Sequence, residues 1–142
     1  MTRILLADDH PMIRTAIEVL LRNSSFELAG TATTADEALR AVPALDPDII
    51  LLDLQMPGGS GMELVRELRS NGDQRRLVIL TAAIDDRTLV EARSLGVQGM
   101  VLKNSDPGYL LECLEQVSAG STWTDPELIE RLDQIGQTSG RG

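Results

Sequence analysis

Five short apolar runs, separated by segments of helical periodicity, leave this chain few possible folds. The runs are RILLAD (3–8), FELAGTA (26–32), DIILLD (48–53), RLVILTA (76–82) and QGMVLK (98–103). Each is short and mostly apolar, four of them with consecutive Ile, Leu or Val residues, as strands covered on both faces are. Between them, apolar residues recur at helical spacing: Ile13, Ala16, Ile17, Leu20 and Leu21; then Ala35, Ala38, Leu39 and Val42; then Leu64, Val65 and Leu68. Thr34 with Glu37, and Ser60 with Glu63, read as capping boxes at helix starts. Asp86 to Leu95 is the weakest helix, and Gly96 ends it. Ser105-Asp106-Pro107 opens a fifth helix, with Leu110, Leu111, Leu114 and Val117 on one face.

Strands alternating with helices imply right-handed crossovers and a parallel sheet. Five such units in about 120 residues predict an α/β, flavodoxin-like, doubly wound five-stranded sheet of order 2-1-3-4-5. A further capped segment, Thr124-Asp125-Pro126-Glu127 with Leu128, Ile129, Leu132 and Ile135, predicts a sixth helix outside the repeat. The tail GQTSGRG is small and polar and reads as a linker.

Composition narrows the class. With one Phe, one Tyr and one Trp in 142 residues, the core must be aliphatic. Cys113 is the only cysteine, which excludes an intramolecular disulfide and fits a reducing, cytoplasmic setting. No secretory signal and no apolar run approaching the ~20 residues of a membrane span is present. A net charge of −9 repels phosphate backbones, so these residues are not expected to bind DNA by themselves.

In open α/β sheets ligands sit beyond the C-terminal strand ends, at the switch point between strands 1 and 3. The first strand ends in Asp8-Asp9, the third in Asp53, the fourth in Thr81 and the fifth in Lys103. Two like charges ~4 Å apart cost roughly 4 kcal/mol at an effective dielectric of ~20. One lysine offsets only part of that for three carboxylates, so a divalent cation is expected. The ligands are hard oxygens, and one His and one Cys cannot make a zinc set, which favours Mg²⁺ over zinc. Asp53 stands alone at the central strand and enters the Gly-rich turn MPGGSG, which makes it the expected nucleophile for an acyl phosphate. Lys103 would neutralise phosphoryl oxygens and Thr81 would donate a hydrogen bond to another. The remaining aspartates, among them Asp125, read as caps or solvated charges. His10 reads as a solvated loop residue, and Arg75-Arg76 as a solvated strand entrance.

On ADDHP (7–11), DIILLDLQMPGGSGMEL (48–64), VILTA (78–82) and MVLK (100–103), the chain resembles the receiver domain of two-component response regulators. DDHP, LDLQMPGGSG and the run from Lys103 to Leu132 resemble the NarL/FixJ subfamily. The resemblance implies that Asp53 accepts a phosphoryl group from a sensor histidine kinase. It further implies that Asp8 and Asp9 hold Mg²⁺ with Asp53 and the Gln55 main-chain carbonyl, that Lys103 contacts the phosphoryl group, and that Thr81 reports its arrival. The position paired with Thr81 in switching is Met100, where many receivers carry Tyr or Phe. Residues 1–120 are then the receiver, and 121–142 a linker helix and tail leading to a LuxR-type helix-turn-helix outside these residues. The implied partners are the kinase, a second copy on phosphorylation, and DNA only through that further domain. The protein would be a phosphoacceptor controlling transcription rather than an enzyme.

Alternatives of other classes are a stand-alone receiver acting through protein contacts, a flavin carrier and an aspartate-based phosphatase. The acidic rim opposes a flavin phosphate. A phosphatase wants a second acid two residues past its nucleophile, where this chain has Gln55.

Overall fold

The structure, a computed structural model, describes residues 1–57 and 59–139. Gly58 of the Gly-rich turn and residues 140–142 of the tail lie outside the described residues. The elements run β1 (Thr2–Ala7), α1 (Pro11–Leu21), β2 (Phe26–Ala32), α2 (Ala35–Leu45), β3 (Ile49–Leu52), β4 (Gln55–Met56), β5 (Gly59–Ser60) and α3 (Gly61–Ser70). They continue β6 (Arg76–Thr81), α4 (Asp86–Ser94), β7 (Gly99–Leu102), α5 (Gly108–Ser118), β8 (Trp123–Thr124) and α6 (Pro126–Ser139).

The main sheet is parallel, with order β2-β1-β3-β6-β7-β8. Its first five strands are the five apolar runs in the expected order. Strand β8 is an addition: Gly99 pairs with Trp123 and Met100 with Thr124, extending the edge by two residues. A run this short carries no periodicity of its own. The turn after β3 also contains a small antiparallel pair, β4 with β5, that apolar patterning does not announce.

Because successive side chains point to opposite faces, the strands divide between two cores. Ile4, Leu6, Ile49, Leu51, Val78, Leu80 and Val101 meet Ile17 and Leu21 of α1 and Leu110, Leu114 and Val117 of α5. Leu5, Ile50, Leu52, Leu77, Ile79 and Met100 meet Val42 of α2, Leu64 and Leu68 of α3, and Leu89 of α4. Leu128 of α6 joins this second cluster, 1% exposed, so α6 packs on the sheet's α4 side. Each such aliphatic burial contributes about 1.5–3 kcal/mol.

The helix starts follow local chemistry. Thr34 accepts a hydrogen bond from Glu37 N, as its capping box predicts, and Ser60 accepts from Met62 N. Asp85 caps α4 through Thr88 N, and Gly96 follows the helix with φ +75°. Helix α2 runs through Pro43 to Leu45, and α6 continues past Ile135 into the tail residues read as a linker. Arg75 is not a solvated entrance: its guanidinium bonds Asp46, Asp73 and the Pro47 carbonyl, tying the start of β6 to the end of α2. Among the described residues, no helix is long and apolar enough to cross a membrane.

Candidate functional site

Parallel register sets the site. Ala7 pairs with Leu52, so Asp8 and Asp53 leave adjacent strands at the same level. Thr81 pairs with Leu102, and the Lys103 amide bonds the Thr81 carbonyl at 2.8 Å, so threonine and lysine close the other side. The ends of four strands thus bring Asp8, Asp53, Thr81 and Lys103 to one rim.

Two short turns aim the carboxylates. Asp8 Oδ1 accepts from His10 N at 2.8 Å, fixing the bend into α1, whose first residue is Pro11. Asp53 Oδ1 accepts from Gln55 N at 3.2 Å, which sets the backbone of residue 55 beside the carboxylate. The chain then doubles back through β4 and β5, and Gly61 N bonds the Leu54 carbonyl at 3.0 Å. A side chain at Gly61 would collide with the Asp53 carbonyl and lie 2.9 Å from Leu54 Cα, so this close approach requires glycine.

Asp8, Asp53 and Thr81 are buried, while Asp9 is partly exposed. Lys103 Nζ lies 2.9 Å from Asp53 Oδ2 and 2.9 Å from Asp8 Oδ2, the first contact in hydrogen-bond geometry and the second an ion pair without it. Burial works against the ammonium, but the close contacts and charges of Asp53 and Asp8 together outweigh it and raise the Lys103 pKa. The Thr81 hydroxyl donates to the Ala83 carbonyl at 3.1 Å. Met100 is buried in the core beside Ile79, on the same sheet face as Thr81.

His10 is half exposed, yet its ring reaches the cluster. Nδ1 lies 2.8 Å from Asp8 Oδ1, 3.4 Å from Asp9 Oδ1 and 3.6 Å from Asp53 Oδ2. The Lys103 ammonium lies 3.3 Å from the same nitrogen, so Nδ1 sits between the lysine and the carboxylates. The solvated reading misses this. The signal was adjacency: a turn fixed by Asp8 brings the second residue after it back over the carboxylate.

The donor set suits a divalent cation. One ligand atom each from Asp8, Asp9, His10 and Asp53 fits within a 4.8 Å span. Asp8 Oδ2 and Asp9 Oδ1 are buried atoms without a hydrogen bond, and Lys103 pairs with only Asp8 and Asp53 of the three carboxylates. Buried anions of this kind need pairing or a metal.

The sequence matches the family described as response regulator receiver domain over residues 4–115. It is 31% identical to the transcriptional regulatory protein YdfI of Bacillus subtilis over 95% of this chain and 63% of that protein. It is 37% identical to the nitrate/nitrite response regulator NarL of Escherichia coli over 82% of this chain and 55% of that protein. The chain thus spans less than two thirds of the length of these relatives. Among solved structures, a LuxR-family two-component response regulator from Aurantimonas superposes with a TM-score of 0.87 at 31% identity, covering 95% of this chain and 98% of that one. The isolated receiver domain of RcsB from Salmonella enterica, in the presence of beryllofluoride, gives 0.83 at 27% identity over 92% and 97%. With the family match over most of the chain, and the identity and fold it shares with these proteins, the chain belongs to the response regulator receiver domain family, among regulators of the NarL/LuxR type.

Proposed function

We propose that Asp53 accepts a phosphoryl group from the phosphohistidine of a sensor kinase, and that the acyl phosphate controls an output. The observation that carries this is the Asp53 carboxylate, buried at the end of the central strand and bonded at 2.9 Å to Lys103 beside Asp8. A carboxylate oxygen of Asp53 attacks phosphorus, the P–N bond breaks, and the imidazole leaves. Lys103 then transfers its contact from the carboxylate to a phosphoryl oxygen. Thr81 exchanges the Ala83 carbonyl for another, pulling the loop after β6 inward. Asp8, Asp9 and Asp53, with the Gln55 main-chain carbonyl, would hold Mg²⁺. When bound, the cation supplies positive charge to the phosphoryl oxygens.

The added charge of about −1.5 to −2 biases an equilibrium between two surfaces. Relatives carrying names such as transcriptional regulatory protein and DNA-binding transcriptional activator support transcription as the output. It would run through a DNA-binding domain joined to the 1–120 receiver by the 121–142 segment, with phosphorylation favouring a homodimer. The setting would be the cytoplasm.

Intact-mass measurement after incubation with Mg²⁺ and acetyl phosphate tests the assignment. Wild type gains one phosphoryl group and Asp53→Asn gains none. No gain in wild type, or equal gain in Asp53→Asn, overturns it.

A further inference from the structure

Asp125 does more than a helix cap requires. It precedes Pro126, the first residue of α6, and lies beyond residues 4–115 that match the receiver family. Its Oδ1 accepts from Glu127 N at 3.1 Å, the ordinary capping bond. Its Oδ2 faces the other way, accepting from Leu102 N at 3.1 Å and from Ser105 Oγ at 2.6 Å. Leu102 and Ser105 flank Lys103, and the Ser105 amide closes that turn onto the Leu102 carbonyl at 3.2 Å. Asp125 is 1% exposed.

The reason for the second set of bonds lies in the sheet edge. The β7–β8 ladder ends at Thr124, and the Asp125 amide still reaches the Met100 carbonyl at 2.8 Å. The chain then turns into α6, so the buried Leu102 N–H has no further strand to pair with. Asp125 Oδ2 takes the place of the missing carbonyl.

We propose that Asp125 is a positioning residue for phosphoryl transfer, holding the turn that carries Lys103 from the start of α6. The proposal rests on the functional reading above. A second tie runs parallel to it: Arg131 of α6 bonds the Ile84 carbonyl at 2.7 Å, in the loop that follows Thr81. Helix α6 therefore grips both loops that close the site. If the carboxylate were a cap and nothing else, one oxygen would suffice.

Asp125→Ser separates the two roles. Serine caps as well as aspartate, but its single, shorter hydroxyl cannot also reach Leu102 and Ser105. Ser105→Ala is the milder companion, removing one bond at the far end and leaving the cap whole. Two measurements are made on each variant of the full chain: the rate of labelling by acetyl phosphate with Mg²⁺, and the Leu102 and Lys103 amide shifts of the free protein. In Asp125→Ser, labelling slows on the order of tenfold, as for a misplaced catalytic group. Both amides shift in the free protein. Ser105→Ala shows the same pattern at smaller size, and carries the test if Asp125→Ser does not fold. Wild-type rates with unshifted amides overturn the proposal. Absence of labelling in wild type would instead overturn the functional reading, and the amide shifts would still decide the role of Asp125.

Discussion

Lys103 Nζ sits 2.9 Å from Asp53 Oδ2 and makes the same distance to Asp8. One ammonium thus balances two buried carboxylates on neighbouring strands. Lys103→Ala leaves both uncompensated, and breaking a buried pair costs about 3–5 kcal/mol. The free protein should lose stability of that order in urea titration, and added Mg²⁺ should restore more of it than it adds to wild type. The pH dependence has a definite sign. The folded Lys103 pKa is raised, so its contribution is complete below the ordinary lysine value of about 10.4 and is lost as pH climbs through the raised one. Wild type should therefore lose more stability at alkaline pH than Lys103→Ala does.

Metal addition is the second test. A ligand that binds only the folded state stabilises it by about 2.7 kcal/mol at a hundred times its dissociation constant. Melting curves with and without Mg²⁺ should separate accordingly, and Asp9→Asn should narrow the gap. His10 competes in this exchange. Its Nδ1 lies 2.8 Å from Asp8 Oδ1, in the space between the three carboxylates. Removing the ring frees Asp8 for the cation, and a half-exposed contact of this kind is worth about 1 kcal/mol. His10→Ala should therefore bind Mg²⁺ roughly fivefold more tightly by calorimetry.

Gly61 is a backbone requirement of the nucleophile. Its missing side chain lets the start of α3 lie against the Asp53 carbonyl and Leu54 Cα. Gly61→Ala in an ordinary helix would be neutral or stabilising by about 0.4–1 kcal/mol. Here the new methyl group displaces Asp53, so stability should fall by more than that amount, and acetyl phosphate labelling should fall with it. A stabilised, fully active Gly61→Ala protein would contradict the close approach.

Much of this was legible because the strong signals are local. The apolar runs announce the five long strands, and the ends of four of them, at Asp8, Asp53, Thr81 and Lys103, announce the rim. Thr34 and Gly96 mark helix ends by chemistry that needs no partner elsewhere. What stayed hidden depends on distant chain. Two-residue β8 exists only because β7 offers it an edge. Asp125 looks like any aspartate before proline until Leu102 and Ser105 are brought to its second oxygen. Arg75 looks solvated until Asp46 arrives from the end of α2. His10 needed the turn at Asp8 to be drawn in space.

Met100 separates core from switch. It is buried against the α4-side core, beside Ile79. Met100→Ala removes that packing and should cost about 2–5 kcal/mol. Without an aromatic ring to exchange places with Thr81, the labelling rate at a temperature where the variant is folded should stay near wild type. A large rate loss without a stability loss would assign Met100 to the switch.

Cys113 offers a probe of the β8 edge without an added label. Its thiol is fully buried on α5, and Sγ lies 3.9 Å from the Trp123 carbonyl of β8. Burial, helped by the charge of Glu112, pushes its pKa up to about 12. The folded thiol therefore stays protonated and shielded at pH 8, where an exposed cysteine has begun to ionise. The same shift makes the native state lose stability between the ordinary thiol value of about 8.5 and 12, since the unfolded chain gives up its proton first. Iodoacetamide at pH 8 should label the native protein only through opening of β8, at a rate far below that of urea-unfolded chain. Because α6 follows β8 directly, undocking of that edge would expose the sulfur, and Asp125→Ser should raise the labelling rate while Lys103→Ala, acting at the opposite end of β7, should raise it only as far as it lowers global stability. Equal rates in wild type and Asp125→Ser would mean that the edge is held by the β7–β8 ladder alone.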